Sequence, residues 1–96
     1  MSIKTIPYDS AVVLTTPTAV AEYLMAAFED GASEEITHAL GVAARAHGMT
    51  DLARATGVSR QHLYKALSAE GRPELATVMA VMKALGMRLQ PTLLEA

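Results

Sequence analysis

The side chains of this 96-residue chain that are best suited to chemistry lie together at residues 59–65, SRQHLYK. Ser59 can cap a helix, and the first turn after it holds Arg60 and Gln61 and no acidic residue. A cation there opposes the helix dipole, so folding alone would favour Asp or Glu. Arg60 and Gln61 also carry planar groups that pair bidentately with guanine and adenine. The segment indicates a nucleic-acid surface, and the competing interpretation is a solvated face of mixed charge.

Two short helices joined by a tight turn, within residues 50–68, are expected to position these side chains. Thr50 is predicted to cap the first helix, and Gly57 ends it where a left-handed backbone is needed. The contacts inside the pair are expected from Leu52, Ala53, Val58 and Leu63. This spacing is that of the helix-turn-helix, whose second helix enters the major groove by its N-terminal residues. The predicted DNA contacts, at base edges or phosphates, are Thr50, Arg54, Ser59, Arg60, Gln61, Tyr64 and Lys65.

Three further helices are predicted from apolar spacing and end signals. The first follows Thr16 and Pro17 and ends at Gly31, with an apolar stripe at Val20, Tyr23, Leu24, Ala27 and Phe28. The second begins at Ser33 and stops at Gly48, and Gly41 inside it suggests a close crossing with another helix. The last is expected at about residues 74–85, with inward side chains at Leu75, Val78, Met79, Met82 and Leu85.

We therefore expect one helical domain at residues 16–90, preceded by an extended arm at residues 1–15 and followed by a tail at residues 91–96. The arm has no helical period and allows a short strand at residues 11–14. Residues 87–90 alternate weakly between apolar and polar side chains and allow another strand near the C-terminus.

Composition supports an all-α chain, because 51% of the residues are hydrophobic and only 4% are aromatic. The absence of cysteine excludes a disulfide scaffold and a Cys-ligated zinc finger. Apolar stretches are too short to span a membrane, and the N-terminus contains Pro7 and Asp9, so neither a transmembrane segment nor a signal peptide is expected. These features predict a cytoplasmic protein.

The net charge of −2 conceals a division along the chain. Residues 1–41 carry one basic and six acidic residues, whereas residues 45–65 carry four basic residues and one acidic residue. A local basic patch is what phosphate contact requires, whatever the overall charge. No enzyme is expected, since His38, His47 and His62 lack metal-ligand spacing and no phosphate-binding glycine loop occurs. No cofactor is expected either.

A resemblance to a known family is carried by the run LARATGVSRQHLYKALSAEGRPELATVMAVMKALGMRL and by the upstream block PYDSAVVLTTPTAVAEYLMAAFEDG. Together they cover about residues 6–90 and resemble the addiction-module antidotes with a Cro/repressor-like helix-turn-helix, which are antitoxins of type II toxin–antitoxin systems. The resemblance implies an all-α, five-helix lambda-repressor-like domain. The chain departs from the helix-turn-helix pattern at Ala66, which shifts the expected core contact to Leu67. A second departure is Glu74, where the next helix often has a Ser or Thr cap.

The resemblance further implies a homodimer that binds operator DNA, represses its own operon and neutralises a toxin of the RelE/ParE superfamily. Because residues 1–41 are acidic, we expect them to cover a basic toxin surface. The candidate toxin contacts are Ile6, Tyr8, Val12, Val13, Leu14 and Glu22. An equal alternative is that the arm only completes the fold. A stand-alone repressor without a toxin, and an interaction module that binds no DNA, also remain open.

Overall fold

The computed structural model describes residues 15–95, which form five α-helices and, within that range, no strand. The helices are α1 (Pro17–Asp30), α2 (Ser33–His47), α3 (Met49–Thr56), α4 (Arg60–Ala66) and α5 (Leu75–Ala84). The predicted all-α, five-helix architecture is therefore confirmed. Residues 1–14 of the predicted arm, including the strand expected at residues 11–14, lie outside the described residues. No helix of the described part is long and apolar enough to cross a membrane.

Capping chemistry sets the ends of α1 as the sequence predicts. The side-chain oxygen of Thr16 accepts a hydrogen bond of 3.1 Å from the backbone N–H of Ala19, and Pro17 occupies the first helical position. Pro17 loses nothing there, because its missing N–H would have no partner inside the helix. Gly31 ends the helix with a φ of 79°, a left-handed conformation that costs glycine little.

The core is aliphatic and centres on α2, which buries Ala39, Leu40, Val42, Ala43 and Ala44. α1 packs mainly on α2, whereas α3 packs against α2, α4 and α5. The largest fully buried side chains come from all five helices: Leu24, Leu40, Leu52, Leu63, Val42 and Val81. Small and branched side chains thus supply the apolar burial that aromatic residues supply in many other domains.

The backbone at the end of α4 closely approaches α2. A Cβ added to Gly41 would lie 2.7 Å from the backbone carbonyl oxygen of Leu67, so only glycine fits without a backbone shift. This confirms the predicted crossing at Gly41. Ala66 and Leu67 are 9% and 5% exposed, so Leu67 supplies the expected core contact just beyond α4.

The predicted cap of α3 is wrong. Thr50 is expected to cap the helix, but α3 begins at Met49, its N-cap is Gly48, and no side-chain hydrogen bond caps it. Gly48 has a φ of 108° and separates α2 from α3 by a single residue. Met49 is buried, and its burial favours an earlier helix start than polar capping would give.

The predicted inward face of α5 is partly wrong. Leu75 and Met79 are 67% and 52% exposed, while Thr77, Val81 and Met82 are buried. α5 begins directly after Glu74, which makes no side-chain cap. Since apolar residues occur on nearly every face of this helix, the sequence pattern alone did not identify the buried one.

The strand allowed at residues 87–90 does not form. Gly86 donates its N–H to the carbonyl of Lys83 at 2.9 Å, and Met87 donates to the carbonyl of Met82 at 2.8 Å, so the chain turns immediately after α5. Residues 15–95 provide no second strand for the ladder bonds that a strand requires. Met87 and Leu89 instead lie half-buried against the helical core.

Substitution of Gly41 tests the close approach. Gly41→Ala gains about 1 kcal/mol of helix propensity, but overpacking against the Leu67 carbonyl costs about 1–3 kcal/mol, so the free energy of unfolding should fall by up to about 2 kcal/mol. Thermal and urea denaturation measure the change. His38→Ala, at an exposed position of α2, is the control and should leave stability nearly unchanged. A Gly41→Ala protein more stable than the parent would contradict the contact.

Candidate nucleic-acid interface

The turn between α3 and α4 is held by backbone and side-chain hydrogen bonds. Gly57 has a φ of 76° and donates its N–H to the Ala53 carbonyl at 2.9 Å, as expected for the end of α3. The hydroxyl of Thr56 donates to the Leu52 carbonyl at 2.8 Å and accepts from the N–H of Val58 at 3.1 Å. Sequence reasoning missed Thr56, although a threonine just before a turn glycine is a usable signal for this bonding. The turn is thus fixed on both sides of Gly57.

Ser59 starts α4 as predicted. Its side-chain oxygen accepts a hydrogen bond of 3.0 Å from the backbone N–H of His62, which satisfies one of the free donors at the helix start. Beneath the turn, Leu52 and Leu63 are fully buried, and Ala53 and Val58 pack against the same core. These contacts, all expected from the sequence, hold α4 on α3.

The outer face of α4 is polar and basic. Arg60, Gln61, Tyr64 and Lys65 are all exposed, and the first turn contains no acidic residue. The guanidinium carbon of Arg60 lies over the ring of Tyr64, 5.7 Å from its centroid, which is within the range of a cation–π contact. The structure therefore brings together the four α4 side chains that the sequence singles out, and it adds a contact between two of them.

Thr50 and Arg54, the predicted contacts on α3, are also exposed. The Nη1 atom of Arg54 lies 3.3 Å from Oδ1 of Asp51, and the two side chains are 75% and 67% exposed. Water screens such a pair strongly, so it contributes little to stability and can exchange for another anion. The ion pair thus holds Arg54 along α3, and the guanidinium remains able to bind another anion.

The described residues contain no cluster suited to a metal ion. No group of three or more His, Cys, Asp or Glu side chains there could hold a metal ion. The cavity beside α4, of about 490 Å³, is open and mixes His62, Lys65 and Arg72 with Glu70 and Glu74. These side chains form a solvated surface with balanced charge.

A second surface of interest lies on α1. Its exposed face carries Glu22, Met25 and Glu29 along one side of a groove of about 610 Å³, and residues 87–90, with the cation of Arg88, line the other side together with Thr92. Met25 is 60% exposed, while Phe28 is half-buried at the groove. Of the predicted toxin contacts, Glu22 is the one that the structure describes. The others lie outside the described residues: Ile6, Tyr8, Val12, Val13 and Leu14.

Comparison with known proteins identifies the family. Residues 4–93 match the model of the family described as probable addiction module antidote protein. The chain is also similar to an uncharacterized protein of Haemophilus influenzae, with 46% identity over 83 residues that cover 86% of each chain. No solved structure matches the chain. With nearly the whole sequence matched, this chain belongs to the addiction module antidote family, the antitoxins that the sequence resembles, and the role of an antidote implies a cognate toxin as its partner.

Proposed function

We propose that this antitoxin binds operator DNA through α4, represses its own operon as a homodimer and neutralises a toxin of the RelE/ParE superfamily by direct binding. The observation that carries the DNA-binding part is the exposed, acid-free first turn of α4, presented on a turn fixed by Gly57 and Ser59. A first turn with this composition is unfavourable for an isolated helix and favourable beside phosphates and guanine edges.

The dimensions of α4 suit the major groove. An α-helix with its side chains is about 10–12 Å across, and the major groove of B-DNA is roughly 12 Å wide. With the N-terminal end inserted, Arg60 pairs with the O6 and N7 atoms of guanine, and Gln61 pairs with adenine. Tyr64 and Lys65 lie one turn further along the same exposed face. Base recognition thus falls to the first turn of α4.

Phosphate contacts come from residues around the turn. Thr50 and Arg54 on α3 and Ser59 at the start of α4 are all exposed, as phosphate contacts require. Arg54 exchanges its carboxylate partner, Asp51, for a phosphate when DNA arrives. Because one such unit makes few base contacts, we expect two copies of the chain on half-sites about 34 Å apart.

The proposed DNA contacts can be tested on DNA from the promoter of the chain's own operon. The double variant Arg60→Ala, Gln61→Ala should lose about 1–3 kcal/mol of base discrimination per side chain, measured by fluorescence anisotropy against a scrambled duplex. Binding of the parent should weaken steeply with salt, because phosphate neutralisation releases counterions.

Arg88→Ala is the matched control, since it removes one positive charge from residues beside α1 and should keep the base discrimination. Unchanged discrimination by the double variant would remove the groove-binding assignment. Binding that does not depend on salt would favour an interaction module that uses these helices without DNA.

For the toxin-binding part, we propose that the α1 groove receives a basic toxin surface. Its rim carries the exposed carboxylates of Glu22 and Glu29, and within the described residues neither one forms an ion pair. Met25 lies between them and offers an adaptable apolar contact. The opposite rim carries Arg88, so the acidic part of the groove is the α1 rim, where the carboxylates beside Met25 complement a basic toxin surface with an apolar anchor.

The two surfaces belong to different parts of the fold. α1 packs mainly on α2, whereas α4 packs on α3. A toxin on the α1 groove therefore leaves the outer face of α4 accessible. The proposal accordingly includes a complex in which toxin and DNA are bound at the same time.

Met25→Asp tests the toxin surface. A carboxylate at the centre of the contact should weaken binding of the cognate toxin by about 2 kcal/mol, or roughly 30-fold, when measured by calorimetric titration. Leu75→Asp introduces the same charge at an exposed position of α5 and should keep full affinity.

Equal affinities of the Met25→Asp and Leu75→Asp proteins for the toxin would show that the toxin does not bind at this groove. If the parent copurifies with no product of its own operon, the alternative of a stand-alone repressor would replace the antitoxin assignment.

A further inference from the structure

We infer that Tyr64 is a positioning residue that holds the guanidinium of Arg60 for recognition of one guanine in each half-site. The inference rests on the proposed DNA-binding function and assigns its specificity to a pair of side chains. It gives Tyr64 a role that differs from direct contact with DNA.

The geometry of the pair is the basis of the assignment. Arg60 and Tyr64 are four residues apart on α4, a spacing that places both on the same helix face. The guanidinium carbon lies 5.7 Å from the ring centroid, and the ring is 47% exposed. The contact therefore forms on the outer surface of the helix, where DNA is proposed to lie.

A ring contact and a base contact use different parts of the guanidinium. A guanidinium can offer its flat face to an aromatic ring, whereas its N–H groups project from the edge. Those edge donors form the fork that matches O6 and N7 of guanine. Arg60 can thus keep its contact with Tyr64 while it pairs with the base.

Positioning has an energetic consequence because a free arginine side chain samples many rotamers. The ring restricts those rotamers before DNA arrives, so less side-chain entropy is lost on binding. Ser59 fixes the backbone at the same end of the helix through its bond to His62. Backbone and side chain of Arg60 are therefore both arranged in the free protein.

Tyr64 is less well placed to read a base itself. It lies about 6 Å further along the helix axis than Arg60, and helix-turn-helix proteins contact bases mainly with the first residues of the inserted helix. Gln61 and Lys65 cannot take the place of Arg60 in this pair, because Gln61 is uncharged and Lys65 lacks a planar group. The pair of Arg60 and Tyr64 is therefore expected to recognise guanine and not adenine.

The test begins with selection of bound sequences from a duplex pool with a randomised central region. The intact parent protein should select sites with a fixed guanine, and Arg60→Ala should lose the preference at that position. A duplex with 7-deazaguanine there lacks the N7 acceptor, so the ratio of its Kd to that of the guanine duplex measures the contact. We expect a ratio of roughly 5 to 150 for the parent.

Two variants at residue 64 separate the possible roles of the ring. Tyr64→Phe keeps the ring and should keep the ratio, whereas Tyr64→Leu should lower it by about 2- to 5-fold. In the Arg60→Ala background, Tyr64→Leu should change neither the ratio nor the affinity further. Tyr64 is 47% exposed and also lines a cavity with Met49 and Leu67, so circular dichroism and thermal denaturation verify the fold of every variant.

The alternative outcomes are distinct. If Tyr64→Leu retains the parental ratio, or weakens binding equally with and without Arg60, the positioning role is overturned while DNA binding stands. If the parent selects no sequence at all, the proposed DNA-binding function fails and this inference fails with it.

Discussion

The contact between Gly41 of α2 and the Leu67 carbonyl fixes how closely the C-terminal end of α4 approaches the core helix. The Leu67 carbonyl would lie 2.7 Å from any Cβ at Gly41, so α4 meets α2 at backbone distance. Leu63 and Leu67 bury their side chains beside this contact, and α2 presents the small residues Ala43 and Ala44 to the same core. An interior of small and branched side chains makes such approach feasible, because close packing leaves little room for adjustment. The seating of α4, which carries Arg60 and Gln61 on its exposed face, thus depends on buried residues at its other end.

Charge is divided between surfaces in a way that the net value of −2 conceals. Glu22 and Glu29 lie on the exposed face of α1, while Arg60 and Lys65 lie on the exposed face of α4. Because α1 and α4 pack mainly on different helices, the two charged faces are carried by separate parts of one small core. The proposed functions use this division, because the acidic face suits a basic toxin and the basic face suits DNA phosphates.

Much of the fold could be predicted because single residues set many of the boundaries. Thr16, Gly31 and Ser59 act at their positions through local hydrogen bonds or local φ values, which depend little on the rest of the chain. The errors occur where burial competes with local preference. α3 starts at Met49, and Thr50 does not cap it, because the Met49 side chain is buried in the core.

The buried face of α5 and the contact on α4 could not be predicted for related reasons. α5 is apolar around most of its circumference, so packing against α3 decides that Val81 is buried and Met79 is exposed. On α4 the sequence placed Arg60 and Tyr64 on one face. Whether the two side chains meet depends on their rotamers and on the seating of the helix. The four-residue spacing limits the possible rotamers and helix positions, but it does not determine them.

The contact between Arg60 and Tyr64 also affects the stability of α4. A cation in the first turn costs a helix about 0.3–1 kcal/mol through the dipole. An exposed cation–π contact contributes about 0.5–1 kcal/mol in the opposite direction. The two effects are of similar size, so Tyr64 offsets the unfavourable position of Arg60 while leaving its edge donors accessible. An aromatic residue one turn after the arginine therefore lets a seven-residue helix keep a basic, acid-free first turn without a net loss of stability.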